Sequence, residues 1–204
     1  MVRALVVDDH PVIREGVINA LADADIEVVA QAGSRTQARA QIASFNPGLL
    51  IMDLHLPDGD SLDLILWVRS ISKTAAIVVF TLEDDPNYLL AAAKAGASGY
   101  VSKSAPISEL VESVRHALVS PLAFSASKLL SAINFEANKP VLSARELEVV
   151  ERLARGWSAN QIAADLYLST ATIKSHVASL YRKLECSNKT SAVTKANSLG
   201  FIKI

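Results

Sequence analysis

The stretch RALVVDDHPVIREG, Arg3 to Gly16, sets an apolar run, Ala4 to Val7, directly against two adjacent carboxylates, Asp8 and Asp9. A run of that length reads as a buried strand. Pro11 then stands where a first helical residue needs no N–H partner, so a helix should follow to about Ala22. The fragment predicts a strand that delivers two like charges to its end and then enters a helix. Each of those charges makes the other costlier to ionise, so the arrangement calls for a compensating partner.

The same unit recurs along the first half of the chain. Further short apolar runs lie at Glu27–Gln31, Leu49–Met52, Ala76–Phe80 and Gly99–Val101, and suit strands buried on both faces. Helical patterns fill the gaps. They are capped by Ser34, by Asp60 or Ser61 and by Asp85-Pro86, the last stopped by Gly96, and a fifth runs from about Ile107 to Val119. Five βα repeats predict an α/β fold with a doubly wound five-stranded parallel sheet over residues 1–120.

Beyond it the pattern loosens. SPLAFSASKLLSAINFEANKP, which begins at Ser120, holds Pro121, Pro140 and four serines. Residues 121–140 read as a linker with a possible short helix near Ser127–Ile133. From Val141 to the end the chain is helical, a small all-α domain over 141–204. Its four helices are expected at Ser143–Arg155, Ser158–Leu166, Thr170–Leu184 and about Lys189–Leu199. Ser143-x-x-Glu146 and Ser158-x-x-Gln161 are capping-box patterns, and Gly156 closes the first helix ahead of Trp157, which should pack back on it. The short turn Tyr167-Leu168-Ser169 makes the middle pair a helix-turn-helix.

Charge divides with the domains. The 204 residues carry a net −1, yet residues 1–120 carry −6 and residues 121–204 carry +5. The basic part is the candidate for nucleic acid. Half the residues are apolar and a fifth charged, which fits a folded chain. No apolar stretch approaches the ~18 residues of a membrane span, and no secretion signal opens the sequence. The one cysteine, Cys186, forms no internal disulfide, so a reducing cytoplasm with no membrane partner is expected.

In an open parallel sheet, ligands sit beyond the carboxyl ends of the strands. There the sequence places Asp8 and Asp9, Asp53 in LLIMDLHLPDGD, Thr81 in IVVFTLEDD and Lys103 in GYVSKSAP. An Asp at a strand end is by itself an ordinary cap or turn former; the recurrence of these five residues at strand ends is what points to a site. Three crowded carboxylates fit Mg²⁺, which takes hard oxygen ligands and commonly brings in a phosphate, and the lysine and threonine suit phosphoryl oxygens. His10 and His55 do not stand in a spacing that resembles a zinc site.

These residues carry a resemblance. VVDDHPVIREG, IMDLHLPDGD, VVFT and AGASGYVSK resemble, in order and spacing, the receiver domain of two-component response regulators, and the C-terminal part resembles the LuxR-type (NarL/FixJ subfamily) output domain. The resemblance implies a flavodoxin-like receiver of strand order 2-1-3-4-5. It implies Asp53 as phosphoacceptor from a sensor histidine kinase, with Asp8, Asp9, Asp53 and the main-chain carbonyl of His55 as Mg²⁺ ligands. Thr81 and Lys103 would contact the phosphoryl group, and Tyr100 takes the place of the switch aromatic. Glu83, two residues past Thr81, is placed to influence attack of water on an acyl phosphate. One departure from the family is that Lys103 is followed by Ser104-Ala105-Pro106 rather than directly by proline.

In the output domain, Ile173, Val177, Leu180 and Leu184 follow helical spacing and should face the core. The opposite face carries Ala171, Ser175, Ala178, Ser179 and Arg182, flanked by Lys174. Lys174 and Ser175 are expected at base edges of promoter DNA and Ala178 at a thymine methyl, with Ser179 also on that face. Thr170, Thr172, Arg182 and Lys183 suit phosphates. The family often has a longer polar side chain where Ala178 stands. The expected function is a phosphorylation-dependent transcriptional regulator, not an enzyme, that forms a homodimer when phosphorylated and pairs on DNA through its last helix. Two alternatives stay open on the sequence: a degenerate receiver acting without phosphorylation, and a Mg²⁺-dependent haloacid-dehalogenase-like phosphatase. The latter family places its nucleophile after strand one in an Asp-x-Asp pattern, unlike Asp8-Asp9-His10.

Overall fold

Alternation along five apolar strands builds the N-terminal part of the molecule. The computed structural model describes residues 2–202, which divide into two units between Phe135 and Glu136. In the first unit β1 (Val2–Val7), α1 (Pro11–Ala22), β2 (Ile26–Ala32), α2 (Arg35–Phe45) and β3 (Leu49–Met52) follow in order. A small antiparallel hairpin, β4 (His55–Leu56) and β5 (Gly59–Asp60), precedes α3 (Leu62–Ile71). Then come β6 (Ala76–Thr81), α4 (Pro86–Ala95), β7 (Gly99–Ser102), α5 (Ile107–Val119), β8 (Ser125–Ala126) and α6 (Leu129–Ala137). The large sheet runs in the order β2-β1-β3-β6-β7-β8 with every neighbouring pair parallel.

Period-two side chains split the core into two layers. Leu5, Val7, Leu50, Met52, Ile77 and Val79 pack with α2, α3 and α4 on one face. Ala4, Val6, Leu49, Ile51, Ala76 and Val78 pack with α1 and α5 on the other. This is the doubly wound α/β fold, with one correction to the expected five strands: β8 adds a sixth. It lies within residues 121–140, where α6 also buries Ala132 to 1% exposure. Ser125 and Ala126 carry no β-forming signal of their own. They pair because the edge of β7 is open to them and their flanks are held by residues distant in sequence.

Local capping explains the helix starts. Ser34 Oγ accepts from Gln37 N, Asp85 Oδ1 from Asn87 N, and Asp60 Oδ1, not Ser61, from Leu62 N. Pro106 stands just before α5. Gly96 ends α4 at φ +98°, and a Cβ there would meet Arg69 Cγ at 2.8 Å.

The second unit holds α7 (Ala144–Ala154), α8 (Ala159–Asp165), α9 (Thr170–Lys183) and α10 (Lys189–Ser198). Both capping boxes form reciprocally. Gly156 at φ +89° closes α7, and Trp157 N donates back to Arg152 O. Ile173, Leu180 and Leu184 are buried, with α9 packed on α7 and α8. Val177 departs from the helical-wheel expectation. It is half-buried and lines a shallow surface groove with Trp157, Ala178 and Tyr181.

Candidate functional site

The carboxyl edge of the large sheet gathers the strand-end residues. Asp8 follows β1 and Asp53 follows β3, 2% and 6% exposed; Thr81 ends β6 and is buried as well. Lys103 follows β7, and its Nζ lies 2.6 Å from Asp8 Oδ2 and 2.5 Å from Asp53 Oδ2. Burial by itself pulls the Lys103 ammonium down, but hydrogen bonds to Asp53 and Asp8 outweigh it and hold the pKa above the ordinary lysine value. The single ammonium therefore compensates two of the three carboxylates. The third, Asp9, keeps a buried Oδ1 without a hydrogen bond, with His10 Nδ1 2.7 Å away.

That donor set fits a hard divalent cation. Among the described residues, Asp8, Asp9 and His10 are the group whose candidate ligand atoms all lie within 4.8 Å of one another. His10 points largely outward, its side chain 66% exposed, while its backbone N donates to Asp8 Oδ1 at 2.9 Å. The inward donors are thus carboxylate oxygens, the preference of Mg²⁺ rather than of zinc.

The rim is built by cross-strand contacts that the sequence motifs do not encode. Thr81 Oγ1 accepts from Glu83 N at 3.3 Å, and His55 N points to Asp53 Oδ1 at 3.5 Å. The His55 ring sits 3.3 Å from Glu83 Oε2 and edge-on to Tyr88. Tyr100 is buried at 5% exposure, and its hydroxyl donates to Glu83 O at 2.6 Å. Burial first, then the carboxylates of Glu83, Asp84, Asp53 and Asp85, push that phenol above the usual tyrosine range. The loop that carries His55 is clamped from α2. Asp58 accepts from Arg35 N (2.8 Å), Thr36 N (2.9 Å) and Thr36 Oγ1 (2.9 Å), and Arg35 also bonds the Asp58 and Asp60 carbonyls. Those backbone bonds hold the Asp58 carboxyl at a pKa of about 2. The Asp58-Gly59 pair, a turn signal, was the one sequence mark of this clamp.

In the second unit the exposed stripe of α9 comprises Ala171, Lys174, Ser175, Ala178 and Arg182. A helix with such a face, at the end of a helix-turn-helix, matches the geometry that enters a major groove. Residues 4–115 match the description "Response regulator receiver domain", and residues 140–196 match "Bacterial regulatory proteins, luxR family". The chain belongs to the LuxR-family response regulators. It is 34% identical to the probable transcriptional regulatory protein NarL of Mycobacterium tuberculosis over 96% of this chain and 93% of that protein. The solved RcsB response regulator of Salmonella typhimurium superposes with a TM-score of 0.78 at 25% identity, covering 95% of this chain and 98% of that one. RcsB from Salmonella enterica serovar Typhimurium bound to promoter rprA with the phosphomimetic BeF₃⁻ gives a TM-score of 0.71 at 25% identity, over 98% and 99%.

A response regulator with a LuxR-type output is a DNA-binding transcription regulator, not an enzyme, and no described helix is long and apolar enough to cross a membrane. The expected DNA residues divide into two groups. Lys174, Ser175, Ala178 and Arg182 lie together on the exposed face. The others have partners inside the domain: Thr170 Oγ1 donates to Asn160 Oδ1, and the Thr172 hydroxyl pairs with Ser169 Oγ. Ser179 Oγ donates to Glu146 Oε1 at 2.8 Å, and Lys183 Nζ reaches Glu146 Oε2 at 2.7 Å and Val141 O at 2.9 Å.

Proposed function

We propose that the chain is the phosphorylation-dependent regulator of a two-component system, with residues 1–120 as receiver, 121–140 as connection and 141–204 as output. Asp53 accepts a phosphoryl group from a sensor histidine kinase. The observation that supports this reading most is the sharing of the Lys103 ammonium between Asp8 and Asp53, beside Thr81 at one sheet edge. Asp8, Asp9, Asp53 and the His55 carbonyl are the groups for Mg²⁺, which supplies positive charge beside the transferring oxygens when bound.

The step needs no general base, because a carboxylate is already ionised at neutral pH. An Asp53 oxygen attacks phosphorus; the new O–P bond forms as the P–N bond to the donor imidazole breaks. Lys103 turns its ammonium from the Asp53 carboxylate to a phosphoryl oxygen, and the Thr81 hydroxyl donates to another. The movement of Thr81 is transmitted to Tyr100, biasing the two-state surface that frees the output domain and favours a homodimer. On promoter DNA, Lys174 and Ser175 read base edges, Ala178 meets a thymine methyl and Arg182 holds a phosphate. Thr170 and Thr172 reach phosphates from its N-terminal end, Ser179 and Lys183 support the helix through Glu146, and α10 pairs the two copies. Such a regulator works in the cytoplasm.

Intact mass after incubation with acetyl phosphate and Mg²⁺ tests the reading. One phosphoryl group is expected on the wild type, none without metal and none on Asp53→Ala. A folded, metal-replete wild type that gains none overturns it in favour of a receiver that works without phosphorylation.

A further inference from the structure

The segment after α5 is docked on the two elements that flank the pocket. Ser125 and Ala126 of β8 stand in register with Gly99 and Tyr100 of β7, and Ser125 N donates to Ser98 O at 3.0 Å. Thus Ala126 stands beside the buried tyrosine on the outer side of β7, with Val79 of β6 on the other. Phe124, Ala126 and Leu129 pack against the apolar cluster that holds Tyr100, and Ala132 is part of it. Lys128 Nζ pairs with Asp84 Oδ1 at 2.9 Å. Asp84 is the neighbour of Glu83, whose carbonyl accepts the Tyr100 hydroxyl.

One residue of α3 fixes the entry to this segment. Arg69 Nη2 donates to Pro121 O (2.8 Å) and to Ser98 Oγ (3.0 Å), while Nε and Nη1 bond Gly96 O and Ala75 O at 2.6 Å each. Ser98, fully buried, donates to the same Pro121 carbonyl at 2.6 Å and accepts from Ile77 N at 3.0 Å. The clamp therefore ties the end of α5 to β6 and to the start of β7. Past the clamp the attachment is slight: a two-residue strand, one exposed ion pair and a few apolar side chains, with Leu122 and Leu130 left exposed. An attachment of that size opens at low cost, which is what a movable element requires.

We infer that residues 121–132 are a working part of the phosphorylation switch, their docking against β7 and Asp84 holding Tyr100 buried, with Arg69 and Lys128 as positioning residues. The inference rests on the reading of Asp53 as phosphoacceptor. A segment that stabilises the buried tyrosine is linked to whatever else stabilises it, and linkage is reciprocal. If the modified pocket favours buried Tyr100, modification tightens the docked segment, and loosening the segment weakens the modified state by the same factor. The chain continues from α6 into the output domain, with Ser143 capping α7 six residues after α6 ends. The segment is thus the covalent route by which the pocket's state reaches the DNA-binding part.

The test uses the full chain with beryllofluoride and Mg²⁺ as the probe of the modified pocket. Ser125→Pro removes the N–H that bonds Ser98 O, and Lys128→Glu sets like charges against Asp84. Each is expected to weaken beryllofluoride affinity about fivefold, the lower end of ordinary coupling between sites. Asp84→Lys in the Lys128→Glu background should recover it. In the wild type, beryllofluoride should slow hydrogen exchange across 121–132. Stability loss with unchanged affinity, in variants whose exchange shows the segment released, makes the role merely structural and overturns the inference, as does exchange in 121–132 that ignores the probe. A wild type that binds beryllofluoride but shows no coupling sinks this inference only. One that does not bind it sinks the phosphoacceptor reading too.

Discussion

Glu146 offers a measurable link between the fold of the output domain and the placing of its exposed helix. Its carboxylate is 3% exposed and accepts from Ser143 N (2.7 Å), Ser179 Oγ (2.8 Å) and Lys183 Nζ (2.7 Å), tying the start of α7 to the C-terminal half of α9. Burial raises its pKa, but the bonds from Lys183, Ser143 and Ser179 together outweigh it and bring the carboxyl from 4.5 to about 2. A folded-state pKa depressed below the unfolded one gives stability that is complete above pH 4.5 and vanishes as pH falls through about 2. At 1.36 kcal/mol per unit the stabilisation at neutral pH is about 3 kcal/mol at most. For a unit of this size that is about 12–24 °C in Tm.

Glu146→Gln keeps the length and the capping box, which Gln161 already serves in α8, and removes the charge. We expect the C-terminal unit of the full chain to melt about 2–3 kcal/mol less stably at pH 7, the cost of losing charge-assisted bonds in a buried site. Between pH 4.5 and 2 the wild type should lose what the variant has already lost, so the two stability curves converge. Urea unfolding at pH 7, 4 and 2.5, followed by α-helical circular dichroism with the N-terminal unit's transition assigned separately, reads this directly. A Gln variant that keeps the wild-type acid slope would refute the reasoning, because the slope would then belong to other carboxylates.

Three further outcomes follow from the same geometry. Lys103→Met leaves Asp8 and Asp53 buried without their shared counter-charge and should cost about 3 kcal/mol in the N-terminal unit, partly restored by Mg²⁺; a loss indifferent to Mg²⁺ in thermal melts would count against the pocket as a cation site. Lys174→Ala should weaken operator binding by about 1–3 kcal/mol if it reads a base, and unchanged affinity across a salt titration would reject the role. Gly96→Ala should lose at least about 1–2 kcal/mol from the left-handed backbone, before the Arg69 contact is counted; an unchanged urea midpoint would show that neither strain is felt.

The central strands were legible because they are buried on both faces: LLIM at Leu49–Met52 and AIVVF at Ala76–Phe80 leave no other economical reading. β8 was not, because FSAS has neither β-branched residues nor a turn signal, and its place depends on Arg69 and Ser98 meeting Pro121 across the fold. The strand-end residues were legible one by one, since topology alone brings Asp8, Asp53, Thr81 and Lys103 to one edge. Which of them pair was not. Lys103 on both carboxylates, and the His55–Glu83 contact over the rim, are set by loop paths that the motifs do not fix.

The divided face of α9 makes the same point about the output domain. A helical wheel assigns Ser175, Ala178, Ser179 and Arg182 to one side, and the structure keeps Ser175, Ala178 and Arg182 exposed while Ser179 bonds Glu146. Ser179 and Lys183 are one turn apart, so a single buried carboxylate on α7 collects both, and the wheel's edge is decided by the neighbouring helix. The consequence for recognition is specific. Lys183 neutralises Glu146, so moving it to a phosphate would leave a buried carboxylate short of its cation; Arg182, exposed beside it, has among the described residues a 3.4 Å side-chain contact to Ser179 Oγ and no buried carboxylate to neutralise, so it carries no such penalty. Replacing Arg182 with alanine should therefore reduce the salt slope of DNA binding by about one ion and leave stability near wild type. Replacing Lys183 should lower stability first. Equal stability losses for the two variants would show that the buried carboxylate does not set the division.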